Sequence, residues 1–174
     1  MIRPAGLAAD RSAILALDTG FETRSVFELR QGARDLALVE RPLDAPLRKS
    51  FPLDDLDDPE RPWTDAWVAE EGGRVAGFVA CAFRAWNRRM VIWHLYVDGP
   101  FRGRGVGRAL VEAVANAARA RGALSLWLET SNLNVPGVHA YEAMGFALTG
   151  IDARLYQGTP AEGEAALFFE RQLS

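Results

Sequence analysis

Arg102-Gly103-Arg104-Gly105-Val106-Gly107 follows an apolar and aromatic run from Met90 to Val97 and opens a helix-patterned run from Val106 to Arg121. Strand, glycine loop and helix in that order build a place for a diphosphate. Successive backbone N–H groups of a glycine-rich turn converge on one point, and the unsatisfied donors and positive end of the next helix add to them. An anionic cofactor is therefore expected at this loop. A dinucleotide fold wants Gly-x-Gly-x-x-Gly, and Gly103-x-Gly105-x-Gly107 has the wrong third spacing. A Walker loop needs Gly-Lys-Ser/Thr, and the one lysine of the chain, Lys49, lies far away in sequence.

Upstream of the loop the pattern is strand throughout. Ala66 to Glu71, a Gly72-Gly73 turn, Arg74 to Trp86, an Asn87-Arg88 connection and Arg89 to Val97 predict an antiparallel meander. Downstream, Ala123 to Glu129 alternates Leu124, Leu126 and Leu128 against Ser125, Trp127 and Glu129, the pattern of a half-buried strand. A helix from Pro136 to Met144 is expected to stop at Gly145. Strands Phe146 to Tyr156 and Glu164 to Arg171 are expected to form a hairpin around Gly158-Thr159-Pro160. Nearer the N-terminus, Leu7 to Leu17 reads as an amphipathic helix and Ser25 to Arg30 as a second helix. Leu36 to Val39 reads as a strand ending before Pro42. The stretch from Pro42 to Pro62, with Asp54, Asp55, Asp57, Asp58 and Glu60, reads as a long irregular loop, either a cover for a substrate mouth that attracts a polycation or simply a solvated charge run. The fold class is α/β, with a mostly antiparallel sheet flanked by helices.

A chain of 174 residues, 49% hydrophobic, suffices for one packed core, so a single domain over residues 1–174 is expected. The net charge of −3 supplies no basic field for phosphate backbones, which sets nucleic acid aside as a partner. No apolar run approaches 20 residues and Met1-Ile2-Arg3-Pro4 does not start a signal peptide, so a cytoplasmic protein without membrane contact is expected. Two histidines and one cysteine show no ligand spacing, and no metal is expected. Cys81, within the apolar run Phe78 to Phe83, reads as a small buried side chain rather than a nucleophile. The excess of arginine over lysine reads as compositional.

Taken together, these residues resemble the GCN5-related N-acetyltransferase (GNAT) family, which moves an acetyl group from acetyl-coenzyme A to an amine. Arg102 to Gly107 fits that family's Arg/Gln-x-x-Gly-x-Gly/Ala loop. Asn134, Tyr141 and Gly145-Phe146 follow its Asn-x-x-Ala-x-x-x-Tyr-x-x-x-Gly-Phe segment. The likeness runs from about Ala66 to the C-terminus. It implies a cofactor-binding core over 63–174, with strands splayed at the cofactor site, and an acceptor side over 1–62. In that core Arg102, Gly103, Arg104, Gly105, Val106, Gly107 and Arg108 would hold the diphosphate. Leu95, Tyr96 and Val97 would offer main-chain groups to the pantetheine arm, and Asn134 would fix that arm. A narrower likeness, in Leu128-Glu129-Thr130, Asp152 with Leu155-Tyr156, and Glu164 with Ala166 to Phe169, points to streptothricin acetyltransferase-like members. The implied acceptor is a small cationic amine, and the implied role is antibiotic resistance. A peptide or protein N-terminus as acceptor and a non-catalytic acyl-coenzyme A-binding domain are the other readings. An antiparallel edge or the last hairpin leaves room for a homodimer.

The chemistry needs two proton-handling groups. An alkylammonium of pKa about 10 must lose a proton before it attacks, and the departing thiolate, of pKa about 8.5, gains from a phenol placed on its sulfur. Tyr141 is the candidate acid. Family members often carry a base on the strand before the loop, on the face shared with Leu95 and Val97. Strict alternation gives those positions to Val91 and Trp93, neither of which accepts a proton. His94 alternates to the opposite face and reads as a core or supporting histidine. Glu129, at the end of its strand, is the candidate base, acting directly or through water; a solvated carboxylate that binds substrate is the competing reading.

Overall fold

The computed structural model describes residues 1–173. In chain order the elements are β1 (Ile2–Pro4), α1 (Leu7–Leu15), β2 (Gly20–Gln31), β3 (Leu36–Ser50), β4 (Asp65–Glu71), β5 (Arg74–Arg84), β6 (Arg89–Val97), a 3-10 turn (Gly99–Phe101), α2 (Val106–Ala120), β7 (Ser125–Ser131), α3 (Val135–Ala143), β8 (Ala147–Asp152) and β9 (Ala166–Gln172). They fall into two compact units. One holds Met1–Thr19, Ser50–Trp127, Gln172 and Leu173; the other holds Gly20–Lys49 and Leu128–Arg171.

In the first unit β1, β4, β5 and β6 lie side by side, each antiparallel to the next, and β6 is followed by the start of β7. The expected meander is present. Its first turn uses Gly72 and Gly73 at φ 59 and 74, and its second places Arg88 at φ 54. Alternation splits β5 between two layers. Phe78, Ala80 and Ala82 join Val68, Ile14 and Leu17 of the α1 segment, Leu56 and Trp63 in one core cluster. Gly77, on the other face, receives α2: a Cβ there would lie 2.8 Å from the Tyr96 carbonyl oxygen and 3.0 Å from Leu110. Glycine therefore sets how closely α2 packs, and the helix buries Leu110, Val111, Val114, Ala115 and Ala118 along one stripe.

β6 departs from strict alternation. Ala80 pairs with His94 and Cys81 with Ile92, so Trp93 is the extra residue of a β-bulge. Val91 then pairs with Ala82 and shares its face, while Ile92 takes the face of Leu95. The expectation that Val91 and Trp93 continue the Leu95–Val97 face is corrected by this bulge, which leaves Trp93 44% exposed.

In the second unit the expected helix over Ser25 to Arg30 is instead part of β2, and β2 and β3 form a two-stranded sheet. The expected end of the strand before Pro42 is also corrected, since β3 continues to Ser50. Pro42 and Pro46 are four residues apart and so turn their ring nitrogens to the same edge. A strand with one partner has one such edge to spare. The irregular stretch is thus shorter than expected, beginning after Ser50. Elsewhere in this unit β9 lies between β7 and β8 and runs antiparallel to β8, with Asp152 opposite Ala166. The last hairpin is present, with shorter strands and a longer connection than the sequence suggests. No described helix is long and apolar enough to cross a membrane.

Candidate functional site

The glycine loop sits in the first unit, between β6 and α2, where the sequence places it. Phe101 is buried and anchors the approach. Arg102 folds back: its Nε donates to the Val97 carbonyl at 2.8 Å and an Nη to the Asp18 carbonyl at 2.7 Å. Arg104 pairs with Glu71 and lies over the Phe101 ring at 5.5 Å. Both guanidinium groups thus hold the protein to itself, and the loop's offer to an anion is its backbone. Gly103 and Gly105 adopt φ 73 and 83, a region that side chains strain to reach, and nothing lies within 4 Å of a Cβ at either position. α2 starts at Gly105 without a side-chain cap, and Ala109 is the residue whose N–H closes the first turn, on the Gly105 carbonyl. Open space around glycine backbone at an uncapped helix start fits a diphosphate.

The second unit brings together Tyr141, Glu129, Thr130 and Asn134. Asn134 is buried at the start of α3. Its Oδ1 accepts from the Gly137 N–H at 3.1 Å, and its Nδ2 donates to Thr130 Oγ1 at 3.0 Å. It therefore caps the helix that carries Tyr141. Tyr141 is half-buried, with Phe146 and Phe169 at 6.1 and 6.2 Å. Burial first, and then the Glu129 charge, push its phenol up to about 12, against an opposing hydrogen bond to Thr130. The phenol keeps its proton at neutral pH.

Glu129 accepts the Tyr156 hydroxyl. Glu129 is an exposed residue, yet partial desolvation of its carboxyl by its neighbours raises it above the ordinary range, while the Tyr156 hydrogen bond and the charge of Lys49 oppose the rise. Lys49 in turn bonds both oxygens of Glu164, one of them at 2.6 Å, and Ser131 Oγ also donates to that carboxylate. Tyr156, Lys49 and Ser131 are participants the sequence reading missed. Tyr156 and Glu164 belong to the subgroup likeness without an assigned role, and Lys49, the one lysine of the chain, stands in no motif. Cys81 is buried, and burial together with the Asp65 charge pushes its thiol up to about 12, which suits packing rather than attack. Among the described residues no group of histidine, cysteine and carboxylate side chains is placed to hold a metal.

The chain matches the Acetyltransferase (GNAT) family over residues 28–146. It is 44% identical over 170 residues to streptothricin acetyltransferase of Streptomyces lavendulae, covering 91% of this chain and 88% of that protein. It is 30% identical over 156 residues to streptothricin acetyltransferase of Escherichia coli, covering 89% and 87%. The crystal structure of nourseothricin acetyltransferase superposes at TM-score 0.89 with 39% identity, over 100% of this chain and 98% of that one. A Bacillus anthracis protein solved with acetyl coenzyme A has the same fold at TM-score 0.83 with 23% identity, over 100% and 98%. These likenesses reach well upstream of Ala66, into the segment where motifs alone found little. A loop open to a diphosphate and a phenol that keeps its proton are what acyl transfer from a coenzyme A thioester asks of a chain, and with family likeness running almost end to end this chain belongs to the GNAT family of acetyltransferases.

Proposed function

We propose that the enzyme transfers the acetyl group of acetyl-coenzyme A to a primary amine of a cationic small molecule of the streptothricin kind, by direct attack in a ternary complex. The observation that carries this reading is the 44% identity to a streptothricin acetyltransferase over 91% of the chain. Likeness of that extent disfavours a peptide N-terminus as acceptor and a non-catalytic binding domain. In this reading the amides of Arg102 to Arg108 take the diphosphate, and the main chain of Leu95, Tyr96 and Val97 aligns the pantetheine. Asn134 serves the arm by holding α3. When bound, acetyl-coenzyme A supplies the activated acyl group.

The residues around it manage protons. The acceptor arrives as an ammonium whose deprotonation at pH 7 costs about 4 kcal/mol, and Glu129, with its raised carboxyl, is the base that takes the proton. Tyr141 donates its O–H to the departing sulfur. With a phenol at about 12 this is stabilisation by a hydrogen bond in which the proton stays largely on oxygen. Positioning supplies much of the remaining rate gain. In this reading the enzyme works in the cytoplasm and confers resistance to its acceptor, and a homodimer would form through an antiparallel edge or the last hairpin. Thiol release from acetyl-coenzyme A with a panel of amines including streptothricin tests the reading. Turnover is expected with the antibiotic; cofactor binding without turnover on any amine would overturn it.

A further inference from the structure

Among the described residues the Glu129 carboxylate has one hydrogen-bond partner, the Tyr156 hydroxyl, and that hydroxyl has Glu129 as its own. Both belong to the second unit. Glu129 is exposed on β7, and Tyr156 is half-buried in the connection between β8 and β9. The connection holds Tyr156 by its main chain: its carbonyl accepts the Thr159 N–H at 3.0 Å and the Thr159 hydroxyl at 2.7 Å. Just before it, the Arg154 N–H donates to Asp152 Oδ1 at 2.8 Å and fixes the chain as it leaves β8. The phenol is thus presented to the candidate base at the surface of the unit, outside any core cluster.

The direction of this hydrogen bond follows from the role of Glu129. A base works only as the carboxylate, and a carboxylate only accepts, so in the competent state Tyr156 donates. Its oxygen then keeps acceptor capacity that no described residue uses. The charge around it favours a cation. Glu129 and Glu164 both act on the phenol, and Glu164 is held by Lys49 at 2.6 Å and by Ser131. Two carboxylates against one ammonium leave a single negative charge, which draws a cationic acceptor to the exposed side of the group. Partial desolvation, the Glu129 hydrogen bond and the two carboxylate charges all push the phenol up, so it stays neutral at pH 7. A phenol that stays neutral passes a proton only by taking one as it gives one.

We propose that Tyr156 is a further catalytic residue, which relays the proton of the acceptor ammonium to Glu129. The ammonium proton moves to the Tyr156 oxygen as the phenolic proton moves to Glu129 Oε1, so the tyrosine ends neutral and the glutamate protonated. The freed lone pair of the amine forms the N–C bond to the acetyl carbon, the C–S bond breaks, and sulfur leaves with its electron pair. Glu129 then returns its proton to water. The relay rests on the amine-acetyltransferase reading with Glu129 as base, and supplies the route by which the proton reaches that base.

Single-turnover acetyl transfer to streptothricin, followed across pH, tests the relay. Tyr156→Phe should do two things. Loss of the hydrogen bond raises the Glu129 carboxyl further, so the acidic limb should move to higher pH. Loss of the relay should lower the plateau rate above that limb about tenfold or more, with affinity for acetyl-coenzyme A within twofold of the wild type. A tyrosine that only tunes the carboxyl would move the limb and leave the plateau, and that result would overturn the proposal. Combining Tyr156→Phe with Glu129→Gln should cost no more than Glu129→Gln alone, because both break one path; losses that multiply would also overturn it. Absence of acetylation by the wild type on every amine would strike the parent reading and the relay with it, whereas acetylation by the wild type with an unaltered plateau in Tyr156→Phe would strike the relay alone.

Discussion

Glu129 sits under two opposing demands. Partial desolvation favours its neutral form, whereas Tyr156 and Lys49 favour the carboxylate, and the net effect is a carboxyl above its ordinary range. A base must be unprotonated to work, so with Glu129 in that role activity falls as pH drops through the raised value, and the acidic limb lies above that of an ordinary glutamate. Lys49→Met removes one of the two influences holding the carboxyl down and should move the limb further up. Glu129→Gln should remove the limb and lower kcat by about a hundredfold or more. Rate against pH for the three proteins checks both, and a limb that survives in Glu129→Gln would place the base elsewhere. Tyr141→Phe should lower kcat by about tenfold to a hundredfold, in keeping with one hydrogen bond to a charged leaving group, with affinity for coenzyme A retained. Single-turnover kinetics with calorimetric binding separate the two effects. A rate within twofold of the wild type would mean that Tyr141 only packs between Phe146 and Phe169.

At the scale of elements, α3 shows how a motif residue serves by structure. Asn134 caps the helix and ties it to Thr130 on β7, so Asn134→Ala should cost about 1–2 kcal/mol of stability through the lost cap. Thermal unfolding should show a fall of roughly 2–8 °C. The same contrast explains what could be read from sequence. The meander, α2 and α3 were legible because each repeats its own period between glycine turns, as Leu110, Val111 and Val114 do on α2. The β2–β3 pair was not: its residues are mostly exposed or half-buried, so no buried face imposes a period, and Pro42 and Pro46 read as breaks when they sit on a strand with one partner. The bulge at Trp93 was equally hidden, since the extra residue is defined only by the pairing of β5 with β6. Among candidate site residues, the loop glycines and Tyr141 carried a spacing. Lys49 and Tyr156 acquire their part only through folding, which sets them around Glu129 and Glu164.

For the whole molecule, binding and stability are linked, because a ligand held only by the folded chain stabilises it in proportion to the logarithm of its saturation. Coenzyme A at a hundred times its Kd should add about 2.7 kcal/mol. For a chain of this size that is a rise of roughly 5–10 °C in Tm. Gly105→Glu should abolish the rise by two independent routes. A side chain at φ 83 strains the turn, and its carboxylate puts a negative charge into the space that the loop leaves for a diphosphate. Because strain alone lowers the Tm of the free protein as well, the informative quantity is the ligand-induced difference. Gly105→Ala separates the routes, since it carries the strain without the charge and should keep part of the shift. Full retention of the shift in Gly105→Glu would mean that the anion is held somewhere other than the start of α2.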